Sequence, residues 1–230
     1  MAARGKLERY FPIHGIENLE RALTLKKGAI ILGSHVNSIG LFLAAVQLRR
    51  RGYDVRCPRP EERDAWPTTA FRRLINRVYG APPSLSEAIG GFYAQFNIRP
   101  LIKLLDEKVV LILIGDGWHS AGFVDVDFLG RRLPFTNGPI SLARVADCPV
   151  VPAFSVGTPD RLHFELEPFF TVDRVGPAPE EIDRKVTQFV RRVENRMLAD
   201  IPSWQHWFEQ DLFAVLQRWR STSIGERYAL

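Results

Sequence analysis

Cysteine is scarce: Cys57 and Cys148 are the only two in 230 residues. That is too few for a disulfide framework or a cysteine zinc site, and it fits a reducing compartment. No apolar run approaches the roughly 18 residues that cross a bilayer. Ile39–Leu48 is too short to span, and Val109–Ile114 has the length of a buried strand. The opening MAARGKLERY is charged and lacks an apolar core, so it does not read as a signal peptide. Around Ser34 the pattern Gly-x-Ser-x-Gly is missing, which excludes a nucleophile elbow there. Neither standard glycine-rich phosphate loop occurs, and there is no internal repeat or low-complexity stretch. The expectation is a cytoplasmic protein, either soluble or peripheral on the inner face of the cytoplasmic membrane.

What is present is ordinary globular material, with 46% hydrophobic and 25% charged residues. The length suits one α/β domain over residues 1–230. Thirty-one Lys and Arg against 26 Asp and Glu give a net charge of +5. Such a balance favours anionic partners: phosphate groups, an anionic membrane face, an acidic carrier protein or nucleic acid. Nucleic acid is the weakest of these, because no basic stripe with interleaved aromatics occurs.

The hydrophobic pattern predicts strands alternating with helices. Residues 17–27 read as an amphipathic helix, and Gly28–Gly33 as a buried strand. A helix follows from the Asn37-Ser38 capping pair to Arg49–Arg51, closed by Gly52. Tyr53–Cys57 reads as a strand, residues 58–67 as a loop, Thr68–Tyr79 as a helix, and Ser84–Glu87 as a capping box. A helix at Ile98–Asp106 leads into the apolar strand Val109–Ile114, which ends in Gly115-Asp116-Gly117. Val124–Phe128 and Arg131–Phe135 flank a turn at Gly130. Beyond them come a helix at Pro139–Ala146, a strand at Pro149–Val156 and an alternating edge strand within Leu162–Phe169. The helix Ile182–Leu198 places Ile182, Val186, Phe189, Val190, Val193, Met197 and Leu198 on one face. A last helix carries Trp204, Trp207, Phe208, Leu212, Val215 and Trp219, more in keeping with core or interface than with a cofactor box. This alternation implies a mostly parallel central sheet flanked by helices.

In such sheets, sites form beyond the carboxyl ends of the strands, where Ser34-His35 and Asp116 both lie. A neutral His35 there could accept a proton from an attacking hydroxyl or amine. The adjacent helix N-terminus disfavours an imidazolium, so a carboxylate is needed to orient the ring, and Asp116 is the best placed. The alternatives are a rim histidine that bonds backbone and a loop aspartate that caps the segment from Trp118. Asn37 and Ser38, at the start of the helix after His35, are candidate substrate contacts, and the amides of residues 34–37 are candidate donors to an oxyanion. Arg59, Arg72, Arg73 and Arg77 form a basic group suited to phosphate or carboxylate; Arg73 and Arg77 are four apart and share a helical face. A solvated basic face is the plainer reading of the same run, and of Arg49–Arg51. Asp116, His119 and His35 make only a weak metal pattern, so no metal is expected. His14, His163 and His206 read as structural.

The order of these segments resembles the late acyltransferases of lipid A biosynthesis, a family with bacterial lauroyl and myristoyl transferases and the related phosphatidylinositol mannoside acyltransferases. FPIHGIENLERAL looks like the lead-in to the first strand. KKGAIILGSHVNSIG looks like the strand with the active-site histidine, and RPLIKLLDEKVVLILIGDG like the helix, strand and acidic turn. FLGRRLPFTNGPISLARVADCPVVPAF resembles the Phe-x-Gly segment with its Gly-Pro helix, and PSWQHWF the C-terminal tryptophan signature. The resemblance covers roughly residues 11 to 210.

The resemblance implies a glycerolipid acyltransferase-like α/β fold. It implies transfer of a fatty acyl group from a thioester, carried by acyl carrier protein or coenzyme A, to a hydroxyl or amine, with no metal and no cofactor beyond the acyl donor. The acceptor would be a lipid, a glycolipid or a small molecule. Carried onto this chain, His35 is the general base. Arg72, Arg73 or Arg77 falls in the family's basic second motif, and Asp116 at its acidic third motif, which in some members pairs with the histidine. The family's first motif places Asp or Glu five residues after the histidine, where this chain has Gly40. Either Asp116 supplies the charge relay, or the chain is a non-catalytic lipid or acyl-carrier binding protein on the same scaffold. The family also has a longer segment before the first strand, often a membrane anchor, where ten residues precede Phe11 here. The matching expectation is peripheral membrane contact or a soluble substrate.

Overall fold

A computed structural model describes residues 8–9, 11–25, 27–59, 73, 89–93, 97–117, 122–157 and 161–199, without the side chains of Arg59 and Tyr93. Nine strands lie within these residues: β1 (Ile13–His14), β2 (Ala29–Gly33), β3 (Val55–Arg59), β4 (Gly91–Tyr93), β5 (Val110–Ile114), β6 (Phe123–Phe128), β7 (Arg131–Thr136), β8 (Val150–Val156) and β9 (His163–Leu166). Five helices accompany them: α1 (Ile16–Leu23), α2 (Ile39–Arg50), α3 (Ile98–Asp106), α4 (Gly138–Ala146) and α5 (Ala178–Ala199).

Seven strands form one sheet in the order β1-β9-β8-β2-β5-β3-β4. The run β8-β2-β5-β3-β4 is parallel, and β9 turns antiparallel against β8 with β1 parallel to it. The central strand β2 is buried at all five positions because helices cover both faces. Its alternate side chains enter two separate cores. Ile31 joins Leu41, Ala44, Leu48, Val151 and Phe164 under α1 and α2. Ile30 and Leu32 join Leu111, Phe154, Phe189 and Val190 under α3, α4 and α5.

Helix placement follows from the handedness of parallel crossovers. The unit β2-α2-β3 moves one way along the sheet with α2 on one face. The units β4-α3-β5 and β5-α4-β8 move the other way with their helices on the opposite face, as right-handed connections require. Sandwiched between sheet and flanking chain, α2 is apolar almost all round and buries Leu41, Leu43, Ala44, Ala45, Val46 and Leu48. It ends where Gly52 takes φ 96°.

Several boundaries differ from the sequence reading. The strand expected over Tyr53–Cys57 runs Val55–Arg59. The segment within Leu162–Phe169 is not an edge, because β1 continues the sheet beyond β9. Asn37 and Ser38 precede α2, but Ser38 makes no side-chain cap bond and Asn37 sits at φ 48°. Leu198 is 57% exposed and off the buried face of α5, which Val186, Phe189, Val190, Val193 and Met197 make up. The turn at Gly130 joins β6 and β7 through Leu129 and Gly130, both at positive φ, the pattern of a tight hairpin. Glu194 of α5 accepts the Leu129 amide proton at 2.6 Å and fixes that turn. Thr68–Tyr79, Ser84–Glu87 and the Trp204–Trp219 helix lie outside the described residues, save Arg73.

An ionic ladder ties α5 to β9. Arg196 reaches Glu165 at 2.6 Å and Glu167 at 3.2 Å, and His163 meets Glu165 at 3.0 Å. Burial pushes the Glu165 carboxyl up, but the His163 hydrogen bond and the Arg196 charge outweigh it and hold it below its usual 4.5. A depressed carboxyl stabilises the fold above its free pKa and loses that contribution as the pH falls through the folded value. Thermal unfolding between pH 6 and pH 3 is therefore expected to drop more steeply for the parent chain than for Glu165→Gln; parallel curves would refute this role for the ladder.

Candidate active site

The site begins with strand register. Strands β2 and β5 pair with Gly33 opposite Ile114, and the ladder continues through Gly115 N–H to Gly33 O at 2.9 Å. Two residues further along each strand stand His35 and Asp116. From here α2 departs over one face, while the chain after β5 departs over the other. In parallel sheets, divergence at adjacent strands is where a crevice forms at the carboxyl rim.

Asp116 closes on His35 from within. The His35 amide donates to Oδ1 at 3.0 Å and Oδ2 at 2.9 Å, and Nδ1 lies 2.9 Å from Oδ1. The carboxylate side chain is 0% exposed, whereas the His35 side chain is 19% exposed. Pairing with a carboxylate places the ring proton on Nδ1, which makes Nε2 the basic nitrogen of the neutral ring. Ser34, buried beside them, accepts the Val36 amide proton at 3.3 Å. The amides of His35 and Val36 are thus committed inside the protein, which removes these two from the candidate oxyanion donors of residues 34–37.

Glycine at this rim gives space rather than a left-handed turn. Neither Gly115 nor Gly117 has positive φ. A Cβ on Gly115 would lie 2.4 Å from Cε1 of Phe189, so the acidic turn rests directly on α5. One on Gly117 would stand 3.8 Å from Cε1 of His35. The Gly-Asp-Gly pattern therefore works through close approach of backbone to ring.

Gly40 answers to the same constraint. A Cβ there would meet Oγ of Ser155 at 2.2 Å and Cζ of Phe11 at 3.0 Å. The first turn of α2 lies flat on β8 with no room for a carboxylate. The acid that faces His35 stands just past the end of β5 instead.

Other expected contacts divide. Asn37 and Ser38 stand half-buried at the entry to α2, with their carbonyls accepting the Gly40 and Leu41 amides. Arg73 is exposed; Arg72, Arg77, His119 and His206 lie outside the described residues, as does the Arg59 side chain. His14 and His163 pack edge to face at 5.1 Å on β1 and β9, in keeping with structural roles. Among the described residues no three His, Cys, Asp or Glu side chains stand close enough to hold a metal ion. Cys148 is buried, which pushes its thiol up to about 12. No helix of the described residues is long and apolar enough to cross a membrane.

Behind the pair, Leu32, Gly115, Thr136, Ile140 and Phe189 pack around an apolar spot that has no room for a water molecule.

A family model described as bacterial lipid A biosynthesis acyltransferase matches residues 1–210. The chain belongs to that family. A search of curated proteins gives no match. In this lipid A acyltransferase-type protein, the resemblance read from motif order is confirmed, and so is the α/β fold it implied. Ser155 escaped the sequence reading, although a lone hydroxyl in the buried run VVPAFSV was a usable sign of it.

Restoring an acid at the family's first-motif position is expected to fail in this acyltransferase. Gly40→Asp would force α2 off β8 and lower the melting temperature, without compensating for loss of Asp116. Normal stability of Gly40→Asp in thermal unfolding would contradict the packing account.

Proposed function

We propose that His35 and Asp116 catalyse transfer of a fatty acyl group from a thioester to a hydroxyl or amine. The single observation that carries this reading is the buried carboxylate held on Nδ1 of a rim histidine, in a chain of this family. The acceptor O–H or N–H gives its proton to Nε2 of His35 as its heteroatom attacks the thioester carbonyl carbon. The carbonyl π electrons move to oxygen, forming a tetrahedral oxyanion. As that oxyanion collapses, the carbon–sulfur bond breaks, and His35 returns the proton to the departing sulfur. The products are an ester or amide and a free thiol. Asp116 holds the ring in the required tautomer and stabilises it while protonated.

The donor class is acyl carrier protein or coenzyme A, both anionic and suited to a chain of net charge +5. The acceptor is a lipid, a glycolipid or a small molecule, reached by a protein in peripheral contact with an anionic membrane face. Asn37, Ser38 and Arg73 lie on the segments that such substrates would meet, and Arg59, Arg72 and Arg77 complete the proposed anion-binding group.

Gly40 had suggested a binder without chemistry. Its place is taken up by packing against Ser155, and Asp116 faces the histidine in its stead, which favours the catalytic reading.

Incubation with radiolabelled acyl-thioester and a membrane lipid extract is the test. Transfer is expected in the parent chain, with a loss of about 10²–10⁴-fold in His35→Ala and in Asp116→Asn. Tight acyl binding with no transfer, or undiminished transfer by His35→Ala, would overturn the proposal.

A further inference from the structure

Three glycines near the pair are held to that residue by their neighbours. An added Cβ would lie 2.9 Å from Cδ1 of Leu41 at Gly33, 2.2 Å from Oγ of Ser155 at Gly40 and 2.4 Å from Cε1 of Phe189 at Gly115. Gly52 and Gly130 have space around them, but their positive φ favours glycine. Gly117 answers to neither cause. Its φ is not positive. Among the described residues, the atoms nearest to a Cβ there are Cε1 of His35 at 3.8 Å and Cγ2 of Ile114 at 4.0 Å, both ordinary contact distances. A methyl group at position 117 would displace none of these neighbours.

The space it would fill lies against the imidazole. Cε1 is the ring carbon between the two nitrogens. Asp116 holds Nδ1 at 2.9 Å, and the nitrogen bonded to the other side of Cε1 is Nε2, which the proposed reaction uses as the base. Bulk at position 117 therefore borders the approach to that nitrogen. The His35 side chain is 19% exposed and Gly117 is half-buried, so neither is sealed in the core. Ile114 supplies an apolar wall on the other side of the same space.

We infer that Gly117 is an access-determining residue of the transfer reaction. Its missing side chain leaves room beside His35 for the group that delivers a proton to Nε2, and so sets the bulk tolerated around the attacking atom. The inference rests on the proposed His35 chemistry and adds a steric determinant to it. Gly117 takes no part in the movement of protons or electrons.

The experiment compares Gly117→Ala and Gly117→Val with the parent chain, with Gly115→Ala and His35→Ala as controls. Three quantities are measured. The first is transfer from radiolabelled lauroyl-coenzyme A to a membrane lipid extract. The second is the rate at which diethyl pyrocarbonate modifies His35, read by peptide mass mapping with His14 and His163 as references. The third is the melting temperature. Gly117→Ala is expected to melt at or slightly above the parent temperature, because it narrows the unfolded ensemble at a position without positive φ. Gly115→Ala is expected to melt lower, since its methyl strikes Phe189. Transfer and His35 modification are expected to fall together in the order parent, Gly117→Ala, Gly117→Val. The valine variant should lose about 10²-fold in transfer, the scale on which a displacement of roughly 1 Å in the attacking geometry acts. His14 and His163 should keep their parent rates. If both Gly117 variants keep transfer within a few-fold of the parent while His35→Ala abolishes it, Gly117 has no such role and the His35 reading stands. If His35 resists the reagent in the parent chain, or if transfer is lost only in step with a fall in melting temperature, the inference fails. Undiminished transfer by His35→Ala refutes the reading on which it rests.

Discussion

Everything at this rim depends on one carboxylate with three short contacts to a single residue. Asp116 binds the His35 main chain and the His35 ring together, so backbone and imidazole move as one body. A buried carboxylate is costly unless its oxygens are satisfied, and here the two donors of His35 help to satisfy them. Taking the proton on Nδ1 leaves the other nitrogen as the basic one. Geometry, tautomer and charge support thus come from one side chain.

Such a contact needs two strands brought level, and the sheet provides that without special devices. Both β2 and β5 are short apolar runs packed on two faces, and in-register pairing carries their ends to equal height. Small residues then let the layers close. Gly115 admits Phe189, Gly40 admits Ser155, and Gly33 admits the side chain of Leu41, which a Cβ would crowd at 2.9 Å. At each point a methyl group would separate a helix from the strand ends it braces. An acid at position 40 has no room in α2 for the same reason, and the carboxylate that faces His35 follows the neighbouring strand.

How much of this could be read from the residues varies with the kind of signal. The apolar runs at β2, β5 and β8 and the periodicity of α5 mark burial on two faces or on one, and those elements fell within a few residues of expectation. The pairing of His35 with Asp116 was foreseeable from topology, since both follow such runs. Strand β1, of two residues, and β4, of three, were not, because so short a span has no period of its own and forms only where a neighbour offers an edge. Long-range packing was equally silent. Nothing near Gly40 announces Ser155, which is 115 positions away in the chain but 2.2 Å from its absent Cβ. The exposure of Leu198 reflects the end of its helix running past the core, which periodicity alone does not register.

The central claim concerns which ring nitrogen of His35 carries the proton. Long-range proton–nitrogen correlation spectra of nitrogen-15-labelled protein at neutral pH read this directly. The account predicts a protonated Nδ1 with a downfield proton shift and a basic Nε2, the downfield shift vanishing in Asp116→Asn. A proton found on Nε2, or a spectrum unchanged by that substitution, would contradict it.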